Sequence, residues 1–185
     1  MIMHGPHPMP TRRHALLLVG ASAGLVGAPQ LFAGSAAQVQ ALNSHPDNAR
    51  QAMVFHPAII RVEPGENVTF VMTDRGHNVE NFPEMLPTGA APFRSGMGED
   101  LTTGFDFEGT YGYFCRPHRG MGMIGFVLVG DFTANLEAVR KAGAGLSPPL
   151  LAGRFAEYMA GIEALAGTLS RATRPLPEAA PQRRA

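Results

Sequence analysis

The sequence predicts an all-β sandwich followed by two C-terminal α-helices. Between about residues 39 and 130, short runs rich in β-branched and aromatic residues alternate with turn residues. After Gly130 the apolar residues recur at helical spacing instead. Because several short strands in succession are typical of two packed sheets, the helices are expected to lie against a sandwich.

The strand predictions rest on composition and alternation. In the clearest strand, residues 67–73, Thr69 and Val71 alternate with Phe70 and Met72. This period of two residues is typical of a strand with two unlike faces. The other runs predict strands at about residues 53–55, 59–62, 101–107, 111–115 and 124–129.

The two helices are predicted from caps and periodicity. Thr133 is a suitable N-cap for a helix that reaches Arg140, and glycines and prolines within residues 143–149 interrupt the chain after it. A second helix is predicted from about Leu150 to Leu169. Its apolar residues recur at helical spacing and are expected to pack on the sandwich; they are Leu151, Phe155, Tyr158, Ile162 and Leu165.

The N-terminal segment has the features of an export signal. Arg12 and Arg13 precede an apolar run at residues 15–28, and small residues at 33–37 follow, as a cleavage region requires. The paired arginines resemble a twin-arginine signal, with a general secretory signal as the alternative. An uncleaved membrane anchor is less favoured, because the apolar run is short for a bilayer span. We therefore expect residues 1–37 to be removed on export to the bacterial periplasm.

The rest of the chain divides into one domain and a tail. Residues 38–168 form the predicted domain, and residues 169–185, rich in proline, alanine and arginine, are predicted to be a disordered tail. The chain has 15 basic and 15 acidic residues; without Arg12 and Arg13 the basic residues number 13, a net charge of −2. A near-neutral chain lacks the basic excess that nucleic-acid or membrane-surface binding needs.

The single cysteine, Cys115, begins a group of residues suited to binding a metal. In C-R-P-H-R-G-M-G-M it is followed by His118, Met121 and Met123, on a loop between two predicted strands, and His77 follows another strand. A thiolate, two imidazoles and a weak axial thioether are the ligands of a blue-copper centre, where copper accepts and releases one electron. From these residues alone, either Met121 or Met123 is a candidate for the thioether ligand.

Other interpretations of these residues remain. A single cysteine is usually a small buried hydrophobe, and the methionines could fill the core. A zinc site would favour further cysteine or histidine ligands. A hydrolase with Cys115 as nucleophile would need a substrate cleft and an oxyanion hole, which no motif indicates. A copper-delivery protein that uses the same loop is the strongest alternative to an electron carrier.

Several motifs resemble those of the pseudoazurins, type 1 copper proteins of the cupredoxin class. They lie between about residues 39 and 162 and are A-M-V-F-H-P-A from Ala52, E-P-G-E-N-V-T-F from Glu63, D-R-G-H-N-V-E from Asp74, the loop from Cys115, and V-G-D-F-T-A-N-L from Val129. The resemblance implies a Greek-key, cupredoxin-like β-sandwich of about eight strands. It also implies one copper ion, bound by His77, Cys115, His118 and Met123. Met123 is favoured over Met121 because an M-x-G-x-V run enters the last strand there.

The resemblance further implies how the site is tuned and how it meets a partner. Asn78 is expected to tie the two ligand-bearing loops together and to hydrogen-bond near the thiolate. Pro117 lacks an N–H donor and is expected to favour a higher reduction potential. Electrons are expected to pass at the exposed edge of His118, within an apolar patch formed by Met53, Pro117 and Met121, hereafter the His118 patch.

Charged residues around the His118 patch are expected to steer a redox partner. Where the family typically carries lysines, this chain has Arg75, Arg94, Arg116 and Arg119. The family donates electrons to denitrification enzymes such as nitrite reductase, so the implied partner is a redox protein of that kind. The carrier is expected to be a monomer with no catalytic turnover of its own and no stable membrane association.

Overall fold

The computed structural model describes residues 37–172, which form two four-stranded sheets and two C-terminal helices. The strands are β1 Ala37–His45, β2 Asn48–His56, β3 Ile59–Val62, β4 Glu66–Val71, β5 Glu80–Asn81, β6 Leu101–Phe105, β7 Gly109–Phe114 and β8 Ile124–Val129. The helices are α1 Leu136–Gly143 and α2 Pro149–Ala172, and short 3₁₀ turns lie at Pro83–Met85 and Arg119–Met121. The predicted sandwich with two C-terminal helices is confirmed.

The predicted signal and most of the predicted tail lie outside the described residues. Only Ala37 of the former and residues 169–172 of the latter are described, as the start of β1 and the last part of α2. Between residues 37 and 172, neither helix is long and apolar enough to span a membrane.

The chain crosses between the two sheets. The first sheet has the order β2-β1-β4-β6 and the second the order β3-β8-β7-β5. β1 pairs in parallel with β4, and β3 pairs in parallel with β8, whereas the remaining neighbours are antiparallel. Because a tight hairpin joins only antiparallel strands, the parallel pairs require longer connections, as in a Greek-key sandwich.

β7 and β8 separate two apolar cores, so both strands are buried on both faces. Tyr113 and Val127 belong to the core between the sheets, and Phe126 and Leu128 to the core under the helices. This double burial explains why β8 is apolar nearly throughout instead of alternating. The strands that flank the predicted metal-binding loop are therefore held from both sides.

The first helix begins later than predicted, at Leu136, and Thr133 is not its cap. Thr133 instead donates from its N–H and its hydroxyl to Asp131 Oδ1. Asn135 occupies the N-cap position without a capping hydrogen bond. Its side chain accepts the Thr110 N–H at 2.7 Å and donates to the Thr110 carbonyl at 2.9 Å. The cap prediction was wrong because the residue at the helix start anchors α1 to β7.

α2 extends three residues beyond its predicted end and packs against the second sheet. Three of the predicted contacts, Leu151, Phe155 and Ile162, are buried. Leu165 was expected to join them but is 37% exposed, and Met159 is buried instead. The buried stripe is therefore rotated toward Met159. Gly143 lies where α1 meets α2. A Cβ at this position would overlap the Phe155 ring, so glycine allows the two helices to approach closely.

Candidate metal centre

Three of the predicted ligands meet where β7 ends. Donor atoms of His77, Cys115 and His118 lie within 4.8 Å of one another. Cys115 Sγ is 3.7 Å from His77 Nδ1 and 3.5 Å from His118 Nδ1, and the two Nδ1 atoms are 3.1 Å apart. Metal bonds of about 2.0 Å to nitrogen and about 2.3 Å to sulfur fit inside such a triangle. The donor set therefore suits a single metal ion.

His77 is oriented by Asn43, a residue that the sequence did not indicate. The His77 ring is fully buried, and its Nε2 lies 3.0 Å from Asn43 Oδ1. Because an amide oxygen only accepts, Nε2 carries the proton and Nδ1 keeps its lone pair for a metal. The Asn43 N–H in turn donates to Asp74 Oδ2 at 2.7 Å, which connects β1 to the loop that carries His77.

Burial shifts the pKa of two of the donors in the metal-free protein. It raises the pKa of the Cys115 thiol, although backbone hydrogen bonds from Asn78 and His118 oppose that change. Burial also lowers the pKa of His77; the neighbouring His118 adds to this effect and Asp74 opposes it. Metal ligands must bind in their deprotonated forms, so the thiol has to release its proton when a metal binds.

Of the two candidate methionines, Met123 lies beside the other donors. Met123 is fully buried in the same apolar core as Cys115, whereas Met121 is 42% exposed. The Cys115 N–H donates to the Met123 carbonyl at 3.0 Å, and the Met123 N–H donates to the His118 carbonyl at 3.2 Å. Burial and these backbone contacts both favour Met123 as the thioether ligand.

The two ligand-bearing segments are joined through Asn78 and Arg116. Asn78 is buried, and its Oδ1 accepts the Arg116 N–H at 2.8 Å. The Arg116 side chain forms an ion pair with Glu80, two residues after Asn78. Cross-links of this kind hold metal ligands in place before the metal binds.

The predicted His118 patch has one strained member. Pro117 and Met121 are exposed, and Met53 and His118 are partly buried. Met53 has a φ of 53°, and it alone among non-glycine residues in 37–172 has a positive φ. A left-handed conformation costs an ordinary residue about 1–2 kcal/mol. Surrounding structure therefore holds Met53 in place beside the core that contains Cys115 and Met123.

The four predicted steering arginines differ in how they are held. Arg116 pairs with Glu80, and the Arg119 guanidinium lies 5.0 Å from the ring centroids of both Phe82 and Phe114. Arg75 and Arg94 are exposed and form no ion pair within residues 37–172. Of these four arginines, Arg75 and Arg94 are therefore the two with the fewest side-chain contacts to other charged or aromatic residues in this part of the chain.

Comparison with known proteins relates this site to copper proteins. A sequence model of the family "Copper binding proteins, plastocyanin/azurin family" matches residues 42–130. The chain is 45% identical over 102 residues to the pseudoazurin of Methylorubrum extorquens, an alignment that covers 55% of this chain and 67% of that protein.

Solved pseudoazurin structures have the same fold. The structure from Methylobacterium extorquens AM1 has a TM-score of 0.61 and 40% identity, over 68% of this chain and 98% of that one. Native pseudoazurin from Hyphomicrobium denitrificans has a TM-score of 0.61 and 33% identity, over 68% of this chain and 96% of that one.

Copper is the cofactor that agrees with both the donors and the relatives. Thiolate and thioether sulfur suit Cu(I), and imidazole suits both oxidation states, so one set of ligands can hold either. The match to a copper-binding family and to pseudoazurins favours copper binding over a hydrolase that uses Cys115 as nucleophile. The chain belongs to the plastocyanin/azurin family of copper-binding proteins, and it is an electron-transfer protein of the pseudoazurin kind.

Proposed function

We propose that the chain is exported to the periplasm, binds one type 1 copper ion through His77, Cys115, His118 and Met123, and carries single electrons to a redox enzyme. Bound copper supplies the one-electron chemistry by alternating between Cu(I) and Cu(II). One observation carries the proposal: His77, Cys115 and Met123 are fully buried, while His118 is only partly buried. A partner can therefore approach the site most closely at the His118 ring.

The protein's own contribution is to hold the donors still. Asn43 fixes the ring of His77, and Asn78 and the Cys115–Met123 backbone bond fix the loop that carries the other ligands. Donors that do not move between oxidation states keep the reorganisation small, so electrons are exchanged quickly. The buried donors also exclude water from the metal, because only the His118 side reaches the surface.

The proposed partner surface is the His118 patch with nearby cations. Exposed Pro117 and Met121 offer a small apolar contact, which suits a brief encounter. Arg75 and Arg94 can steer an acidic partner even though the chain as a whole is near neutral. A denitrification enzyme such as nitrite reductase is the proposed acceptor, and the carrier is proposed to act as a monomer.

Adding Cu(II) to the purified protein tests the copper site. We expect an intense blue colour that ascorbate removes, and we expect Cys115→Ser to abolish it because the thiolate is lost. A colourless complex that forms only with Cu(I) would contradict the carrier and favour copper delivery.

The partner is tested by mixing reduced protein with a purified nitrite reductase and following reoxidation in a stopped-flow instrument. The rate should fall as salt rises, since exposed charges are screened within about 8–10 Å at 0.1–0.15 M. A blue protein that the reductase does not oxidise would refute the denitrification partner and leave the copper proposal intact.

Export is tested by expressing the full chain in a bacterium and separating the compartments. We expect a soluble periplasmic protein without residues 1–37 and without stable membrane association. Removal up to that point would spare the apolar part of β1, whose first buried residue is Val39. Recovery of the uncleaved chain in the membrane fraction would refute this part of the proposal.

A further inference from the structure

We propose that Arg116 is a positioning residue of the copper site, which acts through its ion pair with Glu80 to hold the turn from Cys115 to His118 against the segment that carries His77. This inference rests on the proposed copper site. It gives Arg116 a role different from that of a steering cation.

The ion pair has the geometry of a specific contact. Arg116 Nε donates to Glu80 Oε2 at 2.9 Å, and Nη2 donates to Oε1 at 2.8 Å. Such a two-point contact fixes the orientation of both side chains, which a single contact does not. The Glu80 side chain is 21% exposed and that of Arg116 is 58% exposed, so solvent screens the pair in part.

The ion pair lies at the end of the ladder between β5 and β7. β5 has only two residues, and its ladder to β7 pairs Glu80 with Phe114 and Asn81 with Tyr113. Cys115 follows directly after the last paired residue. β8 supports the other edge of β7, but the direct ladder from β7 to the segment that carries His77 has only these two pairs. A ladder of that length is too short to be stable alone.

Arg116 continues the connection past the end of this ladder in two ways. Its backbone N–H donates to Asn78 Oδ1, and its side chain reaches back to Glu80. Both contacts are to the segment that begins at His77. One residue, placed between Cys115 and His118, thereby limits how far these two ligands can move from His77.

The same geometry makes Arg116 a poor steering residue. Both of its donor groups on one edge are engaged by a carboxylate, which offsets the charge that a partner would meet. Arg94 provides a comparison, because its backbone forms a bridge to Glu80 while its side chain has no ion pair within residues 37–172.

A double-mutant cycle on the full chain tests the proposal, with Arg116→Gln, Glu80→Gln and the double variant. Copper-loaded proteins are mixed with an excess of chelator and copper loss is timed. Each single change should speed the loss about two- to fivefold, the effect of an ion pair worth up to about 1 kcal/mol. The double change should add nothing further, because either single change already breaks the pair.

Hydrogen exchange of the copper-free proteins gives a readout that does not depend on the metal. The backbone N–H groups of residues 116 and 118 should exchange faster in both single variants than in the parent chain. Arg94→Gln is the matched control, since it removes an equal charge without breaking an ion pair, and it should match the parent in both measurements.

The outcomes separate positioning from general electrostatics. Opposite effects of the two single changes, additive effects in the double variant, or an equal effect of Arg94→Gln would overturn the proposal. If the parent chain never turns blue with copper, the proposed function fails. Faster exchange in both single variants still supports the positioning contact in that case, and unchanged exchange overturns it.

Discussion

Replacing Asn43 by alanine should weaken copper binding about 10- to 100-fold. The change removes the only hydrogen-bond acceptor that residues 37–172 provide for Nε2 of the fully buried His77. An unsatisfied buried donor costs about 1–3 kcal/mol. Loss of the partner of a metal-bound histidine typically lowers metal affinity about 10- to 100-fold. The first cost lowers the stability of the copper-free and the copper-bound protein alike, whereas the second lowers the free energy of copper binding by about 1.4 kcal/mol for each factor of ten.

Competition for copper with a chelator of known affinity measures this effect. Asn48→Ala is the matched control: Asn48 lies in the same β1–β2 hairpin and is exposed, and within residues 37–172 its side chain accepts only the Arg50 N–H. It should bind copper like the parent chain. The backbone bond from Asn43 to Asp74 survives the alanine change, so the hairpin itself should remain in place. Parent-like affinity of the Asn43→Ala protein would refute the view that Asn43 orients His77.

Two further pairs of variants test the proposed thioether ligand and the helix packing. Met123→Gln should shift the visible spectrum and lower the reduction potential, because an amide oxygen is a harder donor that favours Cu(II). The same change at the exposed Met121 should alter neither property. The reverse result would assign the ligand to Met121. Gly143→Ala should lower the free energy of unfolding by about 1–3 kcal/mol, since the added carbon overlaps Phe155. Gly161→Ala, in open space on α2, should raise it by up to about 1 kcal/mol. Urea denaturation measures both glycine changes, and equal midpoints would contradict the close approach of the helices.

Sequence patterns predicted those features that local physics determines. β4 alternates because one face is buried, and β8 is continuously apolar because both faces are buried. The grouping of Cys115 with His118 follows from their separation of three residues, and His77 was found from its motif. The structure adds the distances among these donors, which no local pattern contains.

The features that sequence reasoning missed depend on contacts between distant segments. Asn43 reaches His77 across 34 positions, because β1 pairs with β4 and lies beside the loop that follows it. Thr133 and Asn135 are both of residue types that cap helices, but the structure uses Asn135 to hold Thr110 in β7. These choices are decided by tertiary contacts, which override local preference.

The bond from the Cys115 N–H to the Met123 carbonyl closes the metal-binding loop at its base. The loop is therefore a separable module: β7 and β8 hold its two ends between two packed cores, and the number of residues between them sets the spacing of the donors. Adding or removing a residue in the loop would move His118 and Met123 relative to Cys115 while leaving the sandwich intact. Loop length is thus a variable through which the redox properties of one scaffold can be retuned.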